Sequence, residues 1–545
     1  MFLESPNHPW RRSNLDRADG RSYVKYAPFL LAISFTLVFL AFWIARYFLT
    51  PLGHDQSCLL FEAGRFLAGN EIYGPHLREL NPPVIIWFSA IPILLSHHLS
   101  VPVVYLFRSL VLLMVCMNVV WCVSLLARSG KITSGVALTL YGIFVLQVQL
   151  HIWASDFGQR EHLLVLLLFP YLLATATRVA RLSPLERGAL GLAAGSAIWL
   201  KPHQILVVIG FELFCALRAR SLRHIFSVEF ISMVLTACML LVLVLVYTPL
   251  YVHQVVPLLS DVYWAYGTDT FTSLLLRAPL LPVVFLVVLL YCFLLLSLLK
   301  DWTIPAALLV CSIAGYFAFA VQQTTWFYHL YPFLAFFFFA LFYLLVDIFH
   351  PFLEKIGESP FLTGRPALAL SGCAFLLVIL FMVHPSIVRN RPNSTVSAPL
   401  DLFFNQVEPG TTVYVFSTSV PSLASAYKHD LNWGSRYAGL WMLPAIIQNE
   451  MGRTSSSTPF KKLSAQTTSR LAAQQRQEIT EDLNYWQPTI VLISLCTRER
   501  NCQGMEGKDI DLLAWFKRSP DFARTWLRYD RQSDIEGYEV YRLAR

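Results

Sequence analysis

The sequence predicts an all-α polytopic membrane protein of about 11 transmembrane helices with a small C-terminal α/β domain. Three observations lead to this prediction. Of the 545 residues, 56% are apolar, only 14% are charged, and the mean hydropathy is +0.54. Eleven apolar segments approach or exceed the length of a span. Residues 385–545 are instead polar and of mixed charge. This composition excludes an ordinary soluble protein and a disordered chain.

The apolar segments are judged by length, because a helix needs about 20 apolar residues to cross a bilayer. Residues 1–26 carry charges of both signs without a cleavage site, which predicts a cytoplasmic tail before an uncleaved anchor. The predicted spans are 27–49, 104–127, 134–154, 163–180, 188–200, 204–218, 226–248, 279–299, 303–321, 329–349 and 366–384.

The basic residues predict the orientation. Alternating the spans from a cytoplasmic N-terminus places 16 of the 23 Lys and Arg residues of 1–384 inside and five outside. Residues 27–384 would form a transmembrane domain in the inner (plasma) membrane. Residues 385–545 would form a soluble domain on the extracytoplasmic (periplasmic) side. The net charge of +8 reflects this bias, so no nucleic-acid partner is indicated.

The C-terminal segment alternates helical and β-rich patterns, which predicts a small α/β domain. Cys496 and Cys502 are close enough in sequence for a disulfide, although two free thiols fit the spacing equally well. Predicted strands are Thr411–Ser417, Thr489–Ser494, Phe522–Tyr529 and Gly537–Leu543, and predicted helices are 466–486 and 509–518.

The first outer loop, 51–83, contains the leading candidate residue, Asp55. Apolar residues at helical spacing follow it, which predicts a helix in the membrane surface with Asp55 as its N-cap. Glu62 lies two turns further on the same side, and Asn81 precedes Pro82-Pro83 at the end of the loop. Helix capping alone would also explain an Asp at this position.

A second polar run, Ser155–His162, follows the third span on the same predicted face. It contains Asp156, Arg160 and Glu161. Ionisable groups at the mouth of an apolar helix are costly unless they are paired or functional. A solvated loop with local salt bridges is the alternative.

Two further polar elements would face the same side. Lys201 and His203 join spans of 13 and 15 residues, too short to cross alone, which predicts a broken element lining a cavity. Tyr328 and His329 enter the tenth span. The alternatives are a lysine that snorkels to the interface and an aromatic belt.

An outer-leaflet cavity with carboxylates, cations and aromatic rings suits a lipid-linked anionic donor. Apolar walls would hold the lipid, and Lys and Arg, or a divalent metal held by carboxylates, would stabilise the departing phosphate. A carboxylate would deprotonate the attacking hydroxyl.

The order of these motifs over residues 27–384 resembles the GT-C superfamily of membrane glycosyltransferases, closest to the protein O-mannosyltransferases and the lipid A aminoarabinose transferase. The shared features are the Asp after span one, the X-Pro-Pro step, the Asp after span three, the Lys after span five and the aromatic entry to span ten. The family uses polyprenyl-phosphate sugars and often a divalent metal such as Mg, Mn or Zn.

The resemblance implies roles for individual residues. Asp55 and Asp156 would be catalytic and could bind a metal; Lys201 would contact the donor phosphate, and Tyr328 or His329 would make the late aromatic contact. The aminoarabinose branch has Lys-Pro-Pro where this chain has Asn81-Pro82-Pro83, and Arg78 or Arg160 could replace that lysine. The predicted substrate-binding residues are Glu62, Arg78, Asn81, Arg160, Glu161, Lys201, His203, Tyr328 and His329.

The predicted function is transfer of a hexosyl or pentosyl group from a polyprenyl-phosphate donor to an envelope lipid, glycan or protein at the outer membrane face. The rival predictions are a transporter or flippase of a lipid-linked or amphiphilic substrate and a non-catalytic assembly protein. Transporters of that kind commonly contain inverted repeats, and no internal repeat is evident in the sequence.

Overall fold

The structure is a computed structural model, and it describes most of the chain. The described residues are 34, 37, 38, 40–152, 155–179, 182–277, 302–358, 398–452, 458–500 and 502–544. The predicted N-terminal tail and the predicted spans 279–299 and 366–384 lie outside them.

Helices make up nearly all of the described chain before residue 358. Short 3-10 or π turns connect several of them, at Pro202–Gln204, Arg223–Phe226, Tyr251–Val255, Tyr263–Tyr266 and Phe327–Leu330. The helices are α1 Leu40–Leu49, α2 His54–Leu67, α3 Pro83–Leu99, α4 Val103–Ser129, α5 Gly135–Leu150, α6 Arg160–Thr177, α7 Pro184–Leu200, α8 Ile205–Ala219, α9 Val228–Tyr247, α10 Val256–Val262, α11 Phe271–Arg277, α12 Thr303–Val321 and α13 Tyr331–Glu358.

Six helical segments within the described ranges are long and apolar enough to cross a membrane. Shorter apolar helices are α1, α3 and α5. The protein is therefore an integral membrane protein, and the total of 11 spans stays a prediction. The six segments are Val103–Ser129, Arg160–Thr177, Pro202–Ala219, Val228–Tyr247, Thr303–Val321 and Phe327–Ile348.

The helix before Lys201 is longer than the predicted span 188–200. It begins at Pro184, and the side chain of Ser183 accepts a hydrogen bond from the backbone N–H of Glu186. A serine N-cap with proline at the first helical position is a strong start signal, and it extends the helix by one polar turn. The break at Lys201 stays, because Pro202 follows it.

Residues 398–544 contain a five-stranded mixed sheet with order β2-β1-β3-β5-β4. β1 pairs in parallel with β2 and β3, whereas β5 pairs antiparallel with β3 and β4. The strands are β1 Thr412–Phe416, β2 Asn432–Trp433, β3 Ile490–Ser494, β4 Tyr529–Arg531 and β5 Tyr538–Leu543. The helices are α14 Ala398–Phe404, α15 Pro421–Lys428, α16 Leu443–Met451, α17 Ala465–Trp486, α18 Leu512–Lys517 and α19 Pro520–Trp526.

One predicted strand of this region, Phe522–Tyr529, is wrong. Most of it belongs to helix α19, and only Tyr529 begins a strand. The Ser519 hydroxyl accepts a hydrogen bond from the Phe522 N–H, and Pro520 occupies the first turn. This start signal outweighs the strand preference of the aromatic residues. Cys496 and Cys502 form a disulfide, which decides between the two alternatives left by their spacing.

The sheet region packs on the surface helix α2. Helix α15 contacts α2 directly. Arg65 donates hydrogen bonds to the carbonyl oxygens of Trp433 and Ser435, and its guanidinium lies over the rings of Phe61 and Trp486. Helix α2 is therefore held in place by residues of the sheet region that lie more than 350 positions away in the sequence.

Candidate active site

Asp55 lies in the first turn of α2. The N-cap of this helix is Gly53, so the prediction that Asp55 is the N-cap is wrong. A Cβ at Gly53 would lie 2.0 Å from the carbonyl oxygen of Ser155. Glycine at this position therefore allows the start of α2 to lie directly against the loop that contains Asp156.

The loop before α6 is held in place by a glycine and by α2. Gly158 has φ +89°, and a Cβ there would lie 2.7 Å from the Phe107 ring. The Gly158 N–H donates to Nδ1 of His162 at 3.1 Å, and Nε2 of Gln56 donates to the carbonyl oxygen of Phe157 at 2.8 Å. Both ends of the loop are thus fixed next to Asp55.

The Asp55 carboxylate is stabilised in its ionised form. Gln159 Nε2 donates to Oδ2 at 3.1 Å, and His54 Nε2 lies 3.2 Å from Oδ1. Burial raises the pKa of Asp55, but nearby positive charge and hydrogen-bond donors outweigh it, so the pKa lies below the ordinary 3.8. The groups that lower it are His54, Arg160, Gln159 and Tyr328.

Asp156 behaves in the opposite way. Burial, followed by the negative charges of Asp55 and Glu161, raises its pKa from 3.8 to about 8. At neutral pH the site therefore contains an ionised Asp55 and a protonated Asp156. Two carboxyl groups with separated pKa values can act as a base and as a hydrogen-bond donor.

Arg160 and the end of the loop 51–83 form the second part of the site. Arg160 Nη1 donates to Oδ1 of Asn81, and the Asn81 backbone N–H donates to Oε1 of Glu79 at 2.6 Å. Burial, followed by the negative charge of the neighbouring Glu79, raises the pKa of Glu62. The predicted residues Glu62, Asn81 and Arg160 thus form one chain of contacts, completed by Glu79.

The third part of the site surrounds Glu161, which is fully buried. Lys201 Nζ donates to Glu161 Oε1, and His329 Nε2 lies 3.5 Å from the same oxygen. Lys201 Nζ is 5.7 Å from the centroid of the Tyr328 ring, and Nδ1 of His329 is 2.7 Å from Oγ1 of Thr324. The break after α7 and the start of the helix at 327 therefore meet at one carboxylate.

These three parts form a single electrostatic cluster. Asp55 and Glu161 both interact electrostatically with Arg160, and Asp55 and Arg160 both interact electrostatically with Lys201. Several buried polar atoms of the cluster lack a hydrogen-bond partner, which is rare in folded proteins and typical of a ligand site. They are Glu62 Oε2, Gln159 Oε1, Arg160 Nε, Glu161 Oε2 and His203 Nε2.

Arg78 is the one predicted site residue that lies apart from this cluster. Its Nη2 donates to Glu478 Oε1 at 2.9 Å and its Nη1 to the carbonyl oxygen of Tyr73 at 2.9 Å. Its backbone N–H donates to the carbonyl oxygen of Arg436. These bonds direct Arg78 toward the sheet region. Of the two candidates to replace the missing lysine, only Arg160 is in the cluster.

Sequence reasoning missed four residues of the cluster. His54 and Gln159 are sequence neighbours of predicted residues, so adjacency was the available signal. Tyr263, which interacts electrostatically with Asp55 and Arg160, belongs to the 3-10 turn Tyr263–Tyr266, about 100 or more positions away in the sequence. Glu79 carries no distinguishing pattern.

The expected metal ion is not matched by a ready ligand set. Within the described ranges, no group of three or more His, Cys, Asp or Glu side chains is arranged to hold a metal. Asp55 and Asp156 are neighbours, but both Asp55 oxygens already contact Gln159 and His54. The divalent metal stays a prediction.

The overall architecture is similar to two solved structures of ArnT from Cupriavidus metallidurans. With ArnT bound to undecaprenyl phosphate the TM-score is 0.53 at 12% identity, covering 95% of this chain and 98% of that one. With the apo state the TM-score is 0.54 at 12% identity, covering 94% and 98%. No family model and no curated protein matches the chain. The likeness shows that this chain and ArnT share a fold over nearly the whole length of both chains.

Proposed function

We propose that this protein is a glycosyltransferase that moves a sugar from a polyprenyl-phosphate donor to an envelope lipid, glycan or protein at the outer face of the plasma membrane. The observation that carries the proposal is the single buried cluster that joins Asp55 to Arg160, Glu161 and Lys201. The shared fold supports it, because one of the similar ArnT structures is bound to undecaprenyl phosphate.

Asp55 is the general base of the proposed reaction. Its carboxylate is ionised at neutral pH and is oriented by Gln159 and His54. It accepts the proton of the acceptor hydroxyl while the hydroxyl oxygen bonds to the anomeric carbon. The bond from that carbon to the phosphate oxygen breaks, and its electron pair stays on the lipid phosphate. Attack from the opposite side inverts the anomeric centre.

Arg160 and Lys201 stabilise the departing phosphate. Lys201 is buried and Arg160 is partly buried, and water screens charge weakly in such sites, so their attraction for the developing negative charge is strong. The Arg160 Nε atom has no partner within the described structure and is available to a phosphate oxygen. Glu161 holds Lys201 in position until the donor binds.

The neutral Asp156 and the rings beside Lys201 position the sugar. A protonated Asp156 donates a hydrogen bond to a sugar oxygen, which an ionised carboxylate could not do. Tyr328 and His329 provide flat faces next to the cation.

The test uses purified protein, a polyprenyl-phosphate sugar and a cell-envelope extract as acceptor. Asp55→Asn should reduce the transfer rate by about 10²–10⁴-fold, the usual contribution of a general base. Asp530→Asn, a matched change on the exposed strand β4, should leave the rate unchanged. Undiminished transfer by Asp55→Asn would overturn the assignment of the base. Movement of the intact polyprenyl-phosphate sugar across a vesicle membrane, without cleavage of the sugar–phosphate bond, would instead indicate a transporter.

A further inference from the structure

A polar groove lies between the outer loops and the sheet region, apart from the buried cluster. It has a volume of about 320 Å³. Residues 71–78 and 250–254 form one side, and Arg436 with helix α17 forms the other. The lining residues that matter most are Glu71, Tyr73, Arg78, Gln254, Gln477 and Glu481.

The groove presents polar groups that the protein itself does not use. The carboxylate of Glu71 and the side-chain amide of Gln254 are exposed and have no hydrogen-bond or ionic partner among the described residues. The Nε of Arg78 is buried and also lacks a partner, although both Nη atoms are bonded. A carboxylate, an amide and a guanidinium N–H are therefore left without a protein partner on the side of the groove formed by residues 71–78 and 250–254.

The groove is connected to the active-site cluster through Tyr73. This residue is fully buried and has φ +70°, a rare conformation for a bulky side chain. Its hydroxyl donates to the carbonyl oxygen of Asn81, whose side chain accepts a hydrogen bond from Arg160. Backbone strain persists where surrounding contacts enforce it, often beside a functional site. Tyr73 is thus both the inner wall of the groove and a neighbour of the cluster.

A larger hollow between α17 and α19 lacks these properties. Its volume is about 910 Å³, but it is lined only by residues 473–525 and touches no residue of the cluster. Its three arginines are all paired: Arg476 and Arg518 with Glu450, and Arg524 with Asp521. Size alone therefore does not identify the binding surface.

We infer that the groove binds the carbohydrate portion of the acceptor, an inference that rests on the proposed function. Planar amide, carboxylate and guanidinium groups lining one groove match the alternating donors and acceptors of sugar hydroxyls. The lining has three carboxylates, Glu71, Glu478 and Glu481, against two guanidiniums, Arg78 and Arg436. This balance favours a neutral or amino-bearing sugar over a phosphorylated one.

The experiment closes the groove without touching the cluster. Gln254→Cys is labelled with a bulky membrane-impermeant maleimide, and Gln532→Cys, an exposed position on the sheet region, is labelled as the matched control. Transfer from a polyprenyl-phosphate sugar is measured against the concentration of envelope extract. Retention of tritium-labelled envelope glycans by each protein is measured separately.

Labelled Gln254→Cys should show an acceptor KM raised at least about tenfold, equivalent to about 1.4 kcal/mol, with the donor KM unchanged. Its glycan retention should fall in parallel, and labelled Gln532→Cys should match wild type. Equal acceptor KM and equal glycan retention in the two labelled proteins would overturn the assignment of the groove as the acceptor-binding site. If labelling at Gln254→Cys lowers glycan retention but the wild-type protein transfers no sugar, the groove binds carbohydrate and the proposed transferase function is overturned.

Discussion

Two charge networks in this protein, one in the active-site cluster and one in the sheet region, are built from similar groups but are satisfied to different degrees. In the sheet region, Arg436 Nε donates to Asp482 Oδ1 at 2.6 Å, and the Arg436 backbone N–H donates to Oδ2 at 2.9 Å. Ser435 Oγ also donates to Oδ2. In the cluster, Glu161 Oε2 and Arg160 Nε have no partner within the described structure.

The difference separates a structural network from a reactive one. A buried ion pair whose donors and acceptors all have protein partners has none left for a ligand, and it fixes the geometry of the chain around it. A buried ion pair with unsatisfied donors or acceptors costs stability, and it is retained where a ligand supplies the missing hydrogen bonds. Mutations in the two networks should therefore change different measurements.

The largest effect is expected at Lys201. Lys201→Met removes the lysine partner of the buried Glu161 carboxylate, so the free energy of unfolding should fall by about 3–5 kcal/mol. Binding of polyprenyl phosphate should also weaken, because a phosphate contact is lost. Thermal unfolding and native mass spectrometry of the bound lipid measure the two effects.

A second variant separates these two effects. Lys201→Met combined with Glu161→Gln should recover much of the lost stability, because no unpaired charge remains, but it should not recover lipid binding. Full recovery of binding in the double variant would show that Lys201 makes no phosphate contact.

In the sheet region the same kind of change should affect stability alone. Asp482→Ala leaves the Arg436 guanidinium with fewer partners in a buried site and should lower the free energy of unfolding by about 3 kcal/mol. Binding of polyprenyl phosphate should stay as in wild type. A loss of lipid binding in this variant would remove the distinction between the two networks.

A smaller effect is expected from pH. The pKa of Asp156 is about 8 in the folded protein and 3.8 is its ordinary value, so the folded state binds more protons between these values. Its contribution to stability is therefore complete below about pH 4 and is lost as pH rises toward 8. Asp156→Asn should flatten this fall in unfolding temperature, and Asp530→Asn should not. Identical pH slopes in wild type and Asp156→Asn would contradict the raised pKa.

The smallest effect is expected at the disulfide. Cys496 and Cys502 close a short loop, so the chain-entropy gain is only about 2 kcal/mol. Replacing both with Ser should lower the unfolding temperature of the sheet region slightly, with sugar transfer unchanged. A large loss of transfer would show that the loop takes part in the reaction.

Much of the helical layout was predictable from the sequence. Hydropathy locates α4, α9 and α12 closely, because in lipid every backbone polar group must be bonded within a helix. The strand Thr412–Phe416 lies inside the predicted run Thr411–Ser417. The errors occur where a local start signal outweighs residue preference, as at Ser519-Pro520 and Ser183-Pro184.

The residues of the cluster were predictable in kind, because charged groups at the ends of apolar helices stand out against their surroundings. By itself the sequence thus determined that the protein lies in a membrane and that Asp55, Arg160, Glu161 and Lys201 require an explanation. Their partners were decided by the tertiary structure. Glu161 meets Lys201 and His329 through helix packing, and Arg78 is drawn to Glu478, 400 positions away. Pairing depends on distances in space, and a linear pattern contains no such distances.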